Sequence, residues 1–189
     1  MYTWYTHVFK IFEEFDLDIN EFENLNNDFQ KIKKNLKCKI KKVAEEKYQT
    51  QMMLKLSNLT TDSKLYLYKH LKSDFGIEKY LLNESSFKNR QIITKFRVSD
   101  HPLEIEVGRY RNILRENRLC TVCNDLEDEY HFFLNCNINT HLRKVMFQKL
   151  QLNSIINNRL YHIKKILNPE FELLPFVCDF IKQSLALRK

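Results

Sequence analysis

Residues 120–136 read CTVCNDLEDEYHFFLNC, a Cys120-Thr121-Val122-Cys123 pair followed by His131 and Cys136 at C-x2-C-x7-H-x4-C spacing. Thiolates and one imidazole in that pattern are the donors of a tetrahedral structural zinc site. A two-residue gap lets the sulfurs of Cys120 and Cys123 face one concavity of a tight turn, and His131 with Cys136 completes the set from the other side. Asn124 follows the second cysteine, where such a turn calls for positive φ, a conformation Asn adopts more readily than most residues with a Cβ. One structural Zn2+ is therefore expected. The alternatives are a reduced, buried cysteine cluster and a redox C-x-x-C pair. A redox pair normally opens a helix after a strand in an alternating α/β chain, and this sequence offers no such context.

Upstream of the first cysteine, Arg97, Arg109, Arg111, Arg115 and Arg118 surround Gly108 and Tyr110. The planar guanidinium donates in pairs to phosphate, and Tyr110 offers a face on which a base can stack. Glu104, Glu106 and Glu116 interleave, so internal ion pairs compete with a phosphate clamp for the same geometry. Downstream, Asp125, Glu127, Asp128 and Glu129 precede His131, as suits the positive end of a short helix. Phe132, Phe133 and Leu134 are expected to pack that helix onto the body, stacking on bases being the alternative for the two aromatics.

The wider composition fits a helical protein. Two Gly and three Pro in 189 residues disfavour turn-rich β architectures and glycine-rich phosphate loops, and a hydrophobic share of 43% supports a real core. The expected class is mostly α, a multi-helix domain with a small embedded CCHC zinc knuckle. A formal net charge of +7 inclines the molecule towards polyanions, although a solvated, soluble surface is the simpler reading of much of it. No apolar run approaches the roughly 20 residues of a membrane span, and the N-terminus lacks a signal pattern. An intracellular setting, nuclear and/or cytoplasmic, is expected, with no membrane partner and no small-molecule substrate. Cys38 is placed on a helix flank and Cys178 in a helix core, too isolated in sequence to form a disulfide framework.

From the N-terminus, Trp4, Val8, Ile11, Phe12 and Phe15 mark one helical face. A second helix opens with Asn20 as N-cap and Glu23 three residues on, and its stripe runs through Phe22, Leu25, Phe29, Ile32, Leu36, Ile40 and Val43 towards Leu56. With that stripe inward, Lys33, Lys34, Lys37 and Lys41 project as a basic ridge, either merely solvated or in contact with phosphates. Leu65, Tyr68 and Leu71 continue a helical period to an Asp74-Phe75-Gly76 stop, Tyr80 to Leu82 form an apolar anchor, and a helix covers 86–98 with Phe87, Ile92, Ile93 and Phe96 inward. His101-Pro102 breaks it. Later helices carry Leu142 to Leu150, then Ile155 to Leu167, then Phe176 to Leu185 behind Pro175 at a first turn. Two regions follow: 1–95, helical with the long basic helix, and 96–189, with the arginine-rich loop, the CCHC element and the C-terminal helices.

The run from Lys95 to Tyr110, then Arg118-Leu119-Cys120, then Glu127 to Phe132, resembles the C-terminal segment of non-LTR (LINE-type) retrotransposon reverse transcriptases. Ser63-Lys64-Leu65 with Tyr68-Lys69, and Phe75-Gly76 with Glu78 to Leu81, are similar too, so the likeness is dense from about Ser63 to Arg143. Asp100 and Pro102 beside His101 depart from the family pattern. The resemblance implies a CCHC zinc element that binds template RNA and target DNA during target-primed reverse transcription, with the polymerase part of a longer polyprotein as a further partner. The polymerase signature, paired aspartates after an aromatic, is absent from this sequence. No nucleophile, second metal or phosphate loop stands out, and His101 beside Glu104 or Glu106 reads as a hydrogen-bonded structural histidine, so no catalytic residue is assigned. The expected function is non-catalytic, zinc-dependent binding of RNA and/or DNA. The rival is a zinc-stabilised helical scaffold for protein partners, a decayed or co-opted remnant of such an element.

Overall fold

Helix accounts for nearly all the regular structure, as the scarcity of Gly and Pro requires. The computed structural model describes residues 4–15, 18, 29–73, 76–82, 87–152 and 158–188. Its helices are α1 (Trp4–Glu14), α2 (Phe29–Ser57), α3 (Tyr66–Leu71), α4 (Phe87–Arg97), α5 (Glu104–Tyr110), α6 (Thr140–Lys149), α7 (Arg159–Leu167) and α8 (Leu174–Ala186), joined by short 3-10 turns and a π turn at His131–Asn135. No strand occurs among the described residues; Leu119 and Leu126 form an isolated antiparallel bridge. The cap at Asn20, the stripe residues Phe22 and Leu25, and Ile155 with Ile156 lie outside the described residues.

The chain divides into two compact units, Met1–Lys55 and Leu56–Lys189. Helix α3 lies against α4 and α7, and α4 against α7 and α8, which ties 66–97 to the second unit. Of the α2 stripe read as turned inward, Leu36, Ile40 and Val43 are half-buried and Leu56 is buried, while Ile11 of α1 is exposed. Lys33, Lys34, Lys37 and Lys41 do project into solvent, and Lys41 lies 3.9 Å from Glu45 one turn on. Cys38 is exposed on α2.

The second unit holds the core. Ile93 and Phe96 of α4, Phe132 and Phe133 of the π turn, Met146 and Phe147 of α6, Ile163, Ile166 and Leu167 of α7, and Val177, Phe180 and Ile181 of α8 form one apolar cluster. Each such side chain withdrawn from water contributes about 1.5–3 kcal/mol. Phe96, Phe132, Phe133 and Phe180 interlock with ring centroids 5.0–5.8 Å apart, mostly edge to face. Cys178 is buried in α8, as expected, with its thiol 3.4 Å from the Asn89 carbonyl, and Pro175 stands in the first turn of that helix. Three expected inward residues face solvent instead: Leu81, Leu82 and Phe87, of which Phe87 is 70% exposed. Tyr80 alone anchors its segment, because its ring is held against Arg97.

Helix ends show how a glycine-poor chain stops its helices. Gly76 has no positive φ, and α3 ends where Lys72 turns to extended backbone, so no glycine stop operates there. Ser99, Asn112 and Gln151 instead take φ of 52°, 56° and 53°. In each case the next amide reaches back five residues: Asp100 N–H to the Lys95 carbonyl at 2.7 Å, Ile113 to Gly108 at 2.8 Å and Leu152 to Phe147 at 2.9 Å. These are Schellman caps built without glycine. The first explains why α4 stops before His101-Pro102: Ser99 Oγ donates to Glu129 Oε1 at 2.6 Å, which holds the left-handed residue in place.

Arg97 is wholly buried. Its Nη2 lies 2.7 Å from Glu78 Oε2, its Nη1 donates to the Leu167 carbonyl at 2.9 Å, and its guanidinium lies 5.1 Å from the Tyr80 ring centre. Lys72 Nζ, 2.9 Å from Glu78 Oε1, completes the network and donates to the Gly76 carbonyl. Arg97 thus satisfies the C-terminal carbonyl of α7 and cannot reach a phosphate, which removes it from the expected clamp.

Arg97→Ala should lower unfolding free energy by about 3–5 kcal/mol in urea titration, because it leaves Glu78 buried beside a single cation. Gln151→Gly should raise stability by about 1 kcal/mol in the same assay, since glycine carries no penalty at positive φ.

Candidate metal centre and basic surface

A tight hairpin and a π turn bring the four expected ligands together. Glu127 N–H donates to the Arg118 carbonyl at 2.9 Å, Cys120 N–H to the Asp125 carbonyl at 2.8 Å and Asn124 N–H to the Cys120 carbonyl at 2.9 Å. Asn124 takes φ 56°, as read from its place after Cys123, and this closes the knuckle. Asp128 Oδ1 accepts from His131 N–H at 2.8 Å and caps the following turn. That turn widens to π geometry, with Cys136 N–H donating to the His131 carbonyl at 2.8 Å.

The donor atoms of Cys120, Cys123, His131 and Cys136 all lie within 4.8 Å of one another. Cys136 Sγ is 3.9 Å from Cys120 Sγ and 3.8 Å from Cys123 Sγ, far beyond a disulfide bond of about 2.05 Å. Cys120, His131 and Cys136 are buried, Cys123 partly so. Burial, with the neighbouring sulfurs, pushes the Cys136 thiol up to about 12, so without a cation that thiol stays protonated. Burial also holds His131 below the usual imidazole value, keeping the ring in the neutral form that ligates metals. Its Nε2 is buried with no hydrogen-bond partner, an orphan that a metal would satisfy. A Cys3His group of this kind can hold one metal ion.

Surrounding groups fix these donors. Asn137 N–H points to Cys123 Sγ at 3.3 Å, and Arg143 Nη1 donates to the Cys136 carbonyl at 3.0 Å. Arg188, just beyond α8, places Nη2 3.1 Å from Cys136 Sγ, pairs with Glu127 Oε1 and lies over the Phe132 ring at 4.8 Å. Glu127 Oε2 accepts from the Glu104 amide at 2.7 Å and so ties the hairpin to the start of α5. Glu129, buried beneath, accepts from Ser99 and lies 3.0 Å from His101 Nε2. Burial raises the Glu129 carboxyl, but His101 and Ser99 outweigh it and leave it below the ordinary carboxylate value. His101 therefore pairs with Glu129 rather than with Glu104 or Glu106. The signal for Asp128 was in the sequence, an Asp three residues before the ligand; Arg143 and Arg188 gave none.

The arginine stretch is mostly turned inward. Arg118 Nε donates to the Ile113 carbonyl at 2.9 Å and Nη1 to the Ile105 carbonyl at 3.1 Å, so its buried side chain staples the hairpin to α5. Gly108 makes room for it: a Cβ there would meet Arg118 Cγ at 2.6 Å. Arg109 is paired with Glu106, and Arg115 lies 3.6 Å from Asp62 and 4.0 Å from Asp128. Arg118, like Arg97, is thus corrected from a clamp residue to a structural one, because its donors are spent on backbone carbonyls. Arg111 and Tyr110 are exposed; Arg111 stands 4.0 Å from Glu104, and the Tyr110 hydroxyl accepts from Lys64 Nζ at 3.2 Å.

Purified protein should carry close to one equivalent of thiophilic metal by emission spectrometry, and chelation should lower its melting temperature. Cys136→Ser should lose the metal and make melting insensitive to chelator. No protein-family model, curated protein or solved structure matches this chain, so the case for the centre is its own geometry.

Proposed function

We propose that this chain is a non-catalytic, zinc-dependent binding domain for RNA and/or DNA, of the kind found at the C-terminal end of non-LTR retrotransposon reverse transcriptases. The observation that carries the reading is the sulfur spacing. Zn–S bonds of about 2.3 Å set tetrahedral edges of about 3.8 Å, and Cys136 Sγ stands 3.9 and 3.8 Å from the other two sulfurs. Three thiolates and an imidazole fill a zinc shell, leaving no open position of the sort hydrolytic zinc sites keep. Zn2+ with three thiolates carries a net charge of −1, which Arg188 at Cys136 Sγ offsets.

In this reading the centre is structural. It holds the hairpin whose first residue, Arg118, is stapled to α5, and α5 presents Tyr110 and Arg111 to solvent. The exposed lysines of α2, Lys33, Lys34, Lys37 and Lys41, add a second basic surface. The rival, a zinc-stabilised scaffold for a protein partner, gains from the internal use of Arg97, Arg109, Arg115 and Arg118, which leaves fewer arginines for phosphate.

Fluorescence anisotropy with mixed-sequence single-stranded RNA separates the two. Nucleic-acid binding predicts an affinity that falls about tenfold or more over a fourfold rise in salt, and weakens further on chelation. Absence of binding at low salt would leave the scaffold reading.

A further inference from the structure

A cleft of about 960 Å³ opens in the second unit, between the Lys79–Leu81 turn, the end of α6, α7 and the Phe171–Leu173 turn. It is lined by Lys79, Lys149, Lys164 and Lys165 and by two exposed aromatic rings, Tyr161 at 50% and Phe171 at 62% exposure. None of the residues the sequence marked for nucleic acid belongs to it. Unlike most of the arginines upstream of the metal centre, these four lysines form no ion pair with a carboxylate among the described residues. Glu170 and Glu172 line the same cleft, so four cations face two carboxylates and the lining keeps a charge of +2. A concave wall of one sign focuses the field on what enters it.

From this arrangement we propose that the cleft is a binding groove for single-stranded nucleic acid, RNA or DNA. The inference rests on the nucleic-acid reading above and gives it a location. Its argument is the combination of two chemistries. Lysine ammonium groups follow a phosphodiester backbone without regard to sequence, and exposed aromatic faces take unpaired bases by stacking. Asn168 and Gln151, also in the lining, bring amide groups that donate to and accept from base edges. A duplex keeps its base faces stacked inside and offers none to Tyr161 or Phe171. A run of Asp and Glu would satisfy the lysines but has nothing to lay on the rings.

Anisotropy titrations with a labelled single-stranded oligonucleotide of roughly a dozen nucleotides test this on the whole, metal-replete chain. Lys164→Glu with Lys165→Glu should weaken binding by roughly tenfold or more and flatten the log-log salt slope by about 1.4. Tyr161→Ala should weaken it by roughly fivefold and leave the salt slope unchanged. Lys88→Glu with Lys144→Glu, which changes the net charge equally but outside the cleft, should stay within about twofold of the parent. Melting curves matching the parent's confirm that each variant folds. Wild-type affinity in the Lys164, Lys165 variant would overturn the groove while leaving nucleic-acid binding in place. Equal affinity for duplex, or displacement by polyglutamate as effective as by oligonucleotide, would overturn the single-strand assignment. If the parent chain binds no nucleic acid, the functional reading fails and the groove with it.

Discussion

Phe132 and Phe133 are wholly buried among Phe96 and Phe180, and the turn that carries them also carries His131. Everything in the second unit leans on that insertion. A π turn follows from it: His131 must face the cysteines while its two neighbours face the core, and the wider turn ends with Cys136 N–H on the His131 carbonyl. The candidate metal centre is consequently no appendage on a helical bundle. Its histidine and the bundle's aromatic centre are consecutive residues, so rigidity at one is rigidity at the other.

The acidic run before His131 does a different job from the one its composition implies. Of four carboxylates, one caps the turn (Asp128), one ties α5 and Arg188 to the hairpin (Glu127), and one holds Ser99 and His101 (Glu129). From the basic side, Arg97 donates to the Leu167 carbonyl at the end of α7, and Arg118 donates to the Ile113 and Ile105 carbonyls. A guanidinium is suited to that task because its fixed fork satisfies several acceptors at once with one buried charge. A phosphate would use the same fork. For this reason an arginine-rich stretch reads as a clamp in sequence and becomes internal bracing in the fold.

Lysine behaves otherwise. Its ammonium is a strongly hydrated point charge on a flexible stem, and it stays at the surface unless specifically paired, as Lys72 is with Glu78. Lys33, Lys34 and Lys37 of α2 project into solvent, and the lysines of the cleft form no ion pair with a carboxylate among the described residues.

The amino-acid sequence by itself determined the helical class, through few Gly and Pro and three-and-four apolar spacing, and it marked the four candidate ligands, through a spacing short enough that local turns bring them near. The knuckle at Asn124, the first-turn Pro175 and the burial of Phe132 and Phe133 follow from the same local logic. Tertiary structure decided what spans long separations: the division at Lys55, the contact of Arg188 with Cys136, the use of Arg97 against the end of α7, and the cleft that gathers lysines from three segments. Periodicity marks which face of a helix is apolar but not whether another element covers it, so Phe87 and Leu82 were read as inward and are not. Charge in a sequence likewise carries no record of its partner; only packing decides whether a cation meets a carbonyl, a carboxylate or water.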